Sequence, residues 1–262
     1  MKYDLNVDVL ETIKESIAGY YAGWGFEDGR THSADARRFY APDLDLVLYD
    51  TQPPVVGFTD TESLHRGVAD RAAAAGIRSV IHTPALDQVQ ALAINNVAWT
   101  TTPYRVTAVL PDGASLSLAP TQTHVWERRD GAWLIVHEQT APQADYGDLA
   151  LTGETVESLP GRSDSEAEEW VDRWLAAGGN RTEPAIRRVG LGVPPAGISV
   201  QRRGAVRNWR RPGVAWLSYL VGIDASSGTA IGRDSLVVAT HGPDWQVVHT
   251  HRSVPFLAAS RG

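Results

Sequence analysis

Three residues with proton chemistry stand out along strand-like runs of this chain. Asp50 closes "DLDLVLYDT", in which Leu44, Leu46, Leu48 and Asp50 fall on one face of an alternating strand. A carboxylate beside apolar walls has its charged form disfavoured, so its pKa rises toward general-base range. His124, in "TQTHVWERR", shares a strand face with Gln122 and Trp126, and an imidazole there can shuttle protons near neutral pH. Tyr104 follows Pro103, and its phenol in an apolar cavity can donate a hydrogen bond to a developing oxyanion. These are the catalytic candidates. Plainer roles stand beside them: a turn Asp bonded to its own backbone, and a half-buried core histidine paired with a neighbour.

A second set has the chemistry of a binding wall. Tyr20, Tyr21, Trp24, Tyr40, Tyr49, Trp99 and Trp126 carry amphipathic rings suited to a polycyclic or polyketide-like ligand, although such rings also build ordinary cores. Gln122, His137 and Gln139 add polar groups. His137 with Gln139, and His249 with His251, stand two apart and so face one way along a strand. Two histidines at that spacing hold a metal only with a third ligand, and the chain has no Cys to supply one. Neither metal nor cofactor is expected. No phosphate loop or nucleophile elbow is present, and the Gly-rich "GLGVPPAG" precedes no helix.

The elements that must position these residues can be read from periodicity. "DVLETIKESIAGYYAGWGF" stacks Leu10, Ile13, Ile17, Tyr20, Tyr21 and Trp24 on a helical stripe, with Asp8 and Glu11 spaced as a capping box. "SADARRFYAP" predicts a short helix that Pro42 ends, and "DTESLHRGVADRAAAAG" a third helix closed by Gly76. Onward, "RSVIHTPAL", "QVQALAINNVAWTTTPYRVTAVL", "SLSLAPTQTHVWERR" and "AWLIVHEQT" predict four strands, with Asp-Gly turns in "PDGAS" and "RRDGAW". Helices followed by a long meander make an α+β layout, the helices packed on one face of a curved antiparallel sheet.

Bulk properties exclude several classes. A net charge of −7 over 262 residues argues against nucleic acid as a partner. The basic run "QRRGAVRNWRRPG" is local and predicts a solvated face, an anion site being the lesser alternative. Without Cys there are no disulfides or thiol nucleophiles, and no apolar stretch has the length of a membrane span. The expectation is a soluble, cytoplasmic protein, and its Ala, Arg and Gly richness suggests a GC-rich bacterial genome.

The chain also repeats itself. "WLIVHEQTAP" from Trp133 returns as "WQVVHTHRSVP" from Trp245, with Thr250 in place of Glu138 and His251 in place of Gln139. Counting back from Trp216 and Trp99 aligns "ISVQRRGAVRNWRRPGVAW" with "IHTPALDQVQALAINNVAW" without a gap, and the next hairpin is five residues shorter in the second copy. The expected organisation is a complete domain with a pocket over 1–145, a polar linker over 146–163, and a truncated repeat over 164–262. Fewer residues precede the second copy, so it should lack roughly one helix and most of the first hairpin.

"TQTHVWERRDGAWLIVHEQTAP" resembles the end of nuclear-transport-factor-2-like proteins, in particular the SnoaL-like branch and the hub (association) domain of calcium/calmodulin-dependent kinases. Thr123, Val125, Trp126, Arg129, Asp130, Gly131, Trp133, Val136 and His137 match that pattern, as do Trp245, Val248, His249, His251 and Ser253. Gln139 and Ala141 depart from it, standing where the pattern has His and Ser. The resemblance implies a cone-shaped curved antiparallel sheet whose concave face, closed by helices, forms one apolar pocket (a cystatin-like fold). It implies a pseudo-dimer of tandem copies, with two such chains able to pair. In ketosteroid-isomerase-like members the base lies on the Asp50 strand, at the position of Leu48, two residues earlier on the same face.

These readings converge on an expected cofactor-independent enzyme of small-molecule, secondary metabolism. It would act as an isomerase, cyclase or dehydratase (a lyase) on a hydrophobic organic substrate, with Asp50 as base and Tyr104 or His124 as donor. The alternatives are a non-catalytic ligand-binding or assembly module, and a sensor of carboxylates working through Arg105 or Arg233.

Overall fold

Seventeen residues of helical periodicity lead the chain and supply the lid of its first sheet. A computed structural model describes residues 7–27, 30–31, 36–42, 47–48, 55–142, 164–178, 187–191, 194–226, 228–240 and 245–254. Asp50, Tyr49 and the whole of the 146–163 linker lie outside those residues, as does the Asp8 side chain of the capping box. The chain divides into two compact units, one running to Glu138 and the other from Gln139 onward.

In the first unit, helix α1 (Val7–Gly23) buries Ile13, Ile17, Tyr20 and Tyr21, the centre of its predicted stripe. They pack on Ala98, Tyr104, Trp126, Trp133 and Ile135 of the sheet. Each such aliphatic side chain removed from water contributes about 1.5–3 kcal/mol. A 3-10 turn at Arg37–Phe39 then delivers Tyr40. Gly23 permits this close approach, because a Cβ there would sit 2.5 Å from the Ala36 backbone nitrogen. The predicted third helix forms as α2 (Phe58–Ala74), and Gly76 beyond it takes φ 69°.

The first sheet comprises short β1 (Phe26–Glu27), β2 (Arg30–Thr31), β3 (Val47–Leu48) and β4 (Val55–Val56), then β5 (Ser79–Pro84), β6 (Gln90–Ile94), β7 (Val97–Val109), β8 (Ser115–Leu118), β9 (Thr121–Arg129) and β10 (Ala132–Ala141). Its order is β2-β1-β5-β7-β9-β10-β3-β4, with β6 and β8 also paired to the long β7. The sheet is antiparallel except where β3 runs parallel to β10, and it curls into a half-barrel against the helices. Two predicted strands are each split. Asn95, at φ 54°, turns the chain between β6 and β7, a left-handed conformation that Asn tolerates. Ala119 and Pro120 interrupt the run from Ser115, since Pro cannot donate to a ladder. Asp130 and Gly131, at φ 49° and 87°, make the predicted Asp-Gly turn.

The second unit holds helix α3 (Ser165–Ala176) and the strands β11 (Arg187–Gly190), β12 (Ser199–Arg211), β13 (Val214–Ala225), β14 (Gly228–Ala239) and β15 (Gln246–Ser253), in the order β11-β15-β14-β13-β12. The Asp164 carboxylate caps α3 by accepting from the Ala167 N–H. Val171, Trp170 and Trp174 pack on Leu217, Tyr219, Val221, Leu236 and Val238. The basic run of β12 is less solvated than predicted. Arg202 pairs with Asp172, Arg203 with Asp224 and Arg210 with Glu166, while Arg207 and Arg211 lie over Trp209 and Trp216.

Pairing registers coincide between the two units. Trp99 opposes Val125 and Trp216 opposes Val237, residues that the Trp-anchored counting places in correspondence. Leu92 opposes Trp99 as Trp209 opposes Trp216. The parallel edge agrees too, Val47 lying against His137 and Arg187 against His249. Among the described residues no helix is long and apolar enough to cross a membrane.

Candidate functional site

The face of the first sheet covered by α1 is set by β-pleating. Thr100 opposes His124, Thr102 opposes Gln122 and Ala98 opposes Trp126, so these side chains and Tyr104 project to one side. Trp99 projects to the other. The helix brings Tyr20 and Tyr21 onto this face, and the 3-10 turn brings Tyr40.

These residues converge on one that the sequence reading left out. Glu138 is fully buried, and its Oε2 accepts hydrogen bonds from the hydroxyls of Tyr20 at 2.7 Å and Tyr40 at 2.9 Å. His124 Nε2 lies 3.3 Å from the same oxygen. The Tyr40 and Tyr20 hydroxyl oxygens lie 3.1 Å apart, and Tyr21 donates to Gln122 Oε1 at 2.5 Å. Tyr20 and His124 meet edge to face with ring centroids 4.9 Å apart. The Trp126 indole donates to Thr100 Oγ1 at 3.0 Å, holding one wall of the cluster in place. Burial, and then the nearby Glu138 carboxylate, push the Tyr20 phenol well above its usual range, so it stays a proton donor.

Strict alternation along β10 cannot give this geometry. Trp133 and Ile135 belong to the core beneath α1, and residues two apart would next place His137 and Gln139 there. Instead the strand changes face between Ile135 and Glu138. The second unit contains the same device in explicit form. Val238 opposes Val247 and Val237 opposes His249, so Val248 bulges out of the ladder. Val248 is the counterpart of Val136.

The remaining sequence-derived candidates are placed as follows. Tyr104 stacks at a tilt on Tyr21, ring centroids 4.7 Å apart, and Trp24 meets Tyr20 edge to face at 6.0 Å. His137 flanks Glu138 on the opposite face of β10. Gln139 belongs to the second unit, where its amide donates to the Ser253 hydroxyl at 2.9 Å and accepts from Ser235. Arg105 is exposed in the first unit, whereas Arg233 is buried in the second.

The second unit has different chemistry at the equivalent positions. Leu236 stands for His124, Thr250 for Glu138 and Asp234 for Gln122. Asp234 is buried in a two-point ion pair with Arg252, at 2.7 and 2.6 Å, and accepts from the Tyr219 hydroxyl at 3.2 Å. Burial, then Asp234, hold the Tyr219 phenol protonated.

His82 also escaped the sequence reading. It opposes Val106 on β7, which puts it on the Tyr104 face, and its ring centroid lies 6.1 Å from that of Tyr104 and 6.3 Å from that of Trp24. Burial pushes the imidazole down to about 4, against a weaker opposing effect of a hydrogen bond to the Trp24 backbone. Below about pH 6.5 the unfolded chain takes up a proton that the folded protein accepts only near 4. Stability should therefore fall as pH drops through that window, by about 2–3 kcal/mol from this group alone. Urea unfolding of His82→Phe at pH 7 and pH 4.5 checks this: the variant should lose that part of the pH slope, and an unchanged slope contradicts it.

No protein-family model matches the chain, and no curated protein matches it. Among solved structures it is similar to a nuclear transport factor 2-like superfamily protein from Salmonella enterica serovar Typhimurium, at 15% identity and TM-score 0.44, over 57% of this chain and 98% of that one. A nuclear transport factor 2-like protein with a cystatin-like fold from Novosphingobium aromaticivorans matches at 16% identity and TM-score 0.41, over 55% and 80%. The association domain of the calcium/calmodulin-dependent kinase II of C. elegans matches at 11% identity and TM-score 0.36, over 51% and 92%.

Proposed function

We propose that the first unit is a cofactor-independent acid–base enzyme acting on a small, largely apolar organic molecule, by isomerisation, cyclisation or dehydration. The observation that carries this reading is Glu138, a carboxylate withdrawn from solvent and gripped by two phenols beside an imidazole. A carboxylate adjoining an imidazole favours the imidazolium and fixes its orientation, which makes His124 the proton carrier and Glu138 its charge partner. Gln122 and Tyr21 orient the Tyr20 hydroxyl, and Tyr104 supplies a phenol for a developing oxyanion. Asp50, outside the described residues, keeps its place as a candidate base from its position in the sequence.

We also propose that the two units descend from one copied ancestor of the nuclear-transport-factor-2-like kind, divided as 1–145, 146–163 and 164–262. The matching registers support that descent. Leu236 and Thr250 deprive the second copy of the proton-carrying pair, so chemistry belongs to the first. Operation in the cytoplasm of a bacterium, within secondary metabolism, completes the proposal.

The test needs no known substrate. An enzyme that removes a proton next to a carbonyl exchanges it with deuterated water, which proton NMR reads over a panel of cyclic ketones, enones and β-diketones. Wild-type protein should speed exchange in at least one member. Exchange no faster than in buffer across the panel would overturn the reading. It would favour the rival, a non-catalytic binding or assembly module, which the near-complete burial of Tyr20, His124 and Glu138 also suits.

A further inference from the structure

We propose that His82 anchors the ligand of the first unit by accepting a hydrogen bond from a hydroxyl on a neutral, largely apolar molecule. Two independent observations lead there. The first is an unanswered polar atom. Among the described residues His82 Nδ1 is shut away from solvent and has no hydrogen-bond partner. The imidazole bonds the Trp24 backbone in a way that favours its protonated form, as a ring N–H donating to a carbonyl does. With that bond made from Nε2, the neutral ring leaves Nδ1 as a lone-pair acceptor. A buried acceptor left empty is unfavourable, so a ligand that answers it gains specificity.

The second observation is the gradient of surroundings along this face. Glu138 and His124 are fully buried, Tyr20 and Tyr21 nearly so, and Tyr104 is 8% exposed. Trp24 and His82 come next and are only part-buried. Beyond them, in the same row across the sheet, His82 opposes Val106 and Val106 opposes Leu118. Leu118 and its neighbour on that face, Leu116, are 57% and 58% exposed. An apolar lip, then a ring-walled acceptor, then a buried acid–base group describe a path for a flat apolar molecule with a hydroxyl at its trailing end. Among the described residues the His82 ring meets the rings of Trp24 and Tyr104, and the imidazole is neutral at pH 7, which suits a neutral hydroxyl better than a carboxylate or phosphate.

This inference deepens the acid–base reading by naming the kind of substrate, and rests on that reading for the chemistry but not for the binding. The probes are 2-naphthol and 2-methoxynaphthalene, alike in shape but only the first a donor. By calorimetry at pH 7, wild-type protein should bind 2-naphthol at least about tenfold more tightly than the ether. His82→Phe, which keeps a ring and removes the nitrogen, should bind both at the affinity of the ether. Nitrogen-15 NMR of wild-type protein gives a readout that does not depend on the variant folding: adding 2-naphthol should move the His82 Nδ1 resonance and the ether should not. Equal affinities in the wild type, a preference that survives in His82→Phe, or an unmoved Nδ1 resonance would each overturn the proposal. Glu138→Gln should still prefer 2-naphthol, so loss of carbonyl exchange with this preference intact faults the catalytic reading and not this one.

Discussion

Glu138→Gln is expected to lose about 1000-fold or more of the deuterium exchange catalysed by the wild type, while the fold persists. Positioned acid–base groups contribute about 100- to 10,000-fold, and the variant touches the carrier and its partner together. The amide keeps an oxygen for the Tyr20 and Tyr40 hydroxyls, 2.7 and 2.9 Å from it in the wild type. It lacks the negative charge that steadies a protonated His124 at 3.3 Å. His124→Ala should cost a similar factor, and the double variant little more, because groups acting as a unit do not add. Tyr40→Phe removes one of two phenols and should cost only about tenfold. Equal losses in all three single variants, or a Glu138→Gln variant within a factor of ten of wild type, would mean that Glu138 serves folding alone.

Asp234→Ala carries the largest expected effect on stability. Asp234 and Arg252 are both buried, joined at 2.7 and 2.6 Å, with Tyr219 as a third partner. Removing the carboxylate strands the guanidinium in an apolar core, which costs about 3–5 kcal/mol. Replacing both partners, as Asp234→Leu with Arg252→Met, removes the charge as well as its neutraliser and should cost less than about 1 kcal/mol. Urea denaturation at pH 7 separates the cases: the single variant should unfold at markedly lower urea and the double variant near wild type. A single variant as stable as wild type would show the pair to be idle.

Elements came through the sequence more clearly than the site did. The α1 stripe was legible because Ile13, Ile17, Tyr20 and Tyr21 repeat at helical spacing and nothing competes with that period. The turn at Asn95 was not, since two Asn residues inside a run of Ala, Val and Thr lack the Gly that usually announces a hairpin. His124 and Gln122 were found through regular alternation on β9, where the pleat is unbroken. Glu138 was missed for the reason that makes it notable. Alternation from Trp133 assigns its face to solvent or to a partner, and only the slip of one residue turns it inward. A signal did exist: Glu138 is the sole charged residue of β10, and the second copy discards it for Thr250. His82 was hidden in a strand short enough that a lone imidazole reads as surface. Asp50 and Tyr49 lie outside the described residues, so the first-ranked base stays an expectation from sequence.

The face change in β10 ties the shape of the strand to chain length and not to composition alone. Delete one residue between Ile135 and Glu138, leaving every other side chain as it is, and the strand would run on in simple alternation. The carboxylate, now two residues from Ile135, would still look toward the tyrosines, with no bulge needed to turn it there. Column-by-column comparison of related chains would record such a change as a gap, although the acid would have kept its place by losing the bulge that now turns it.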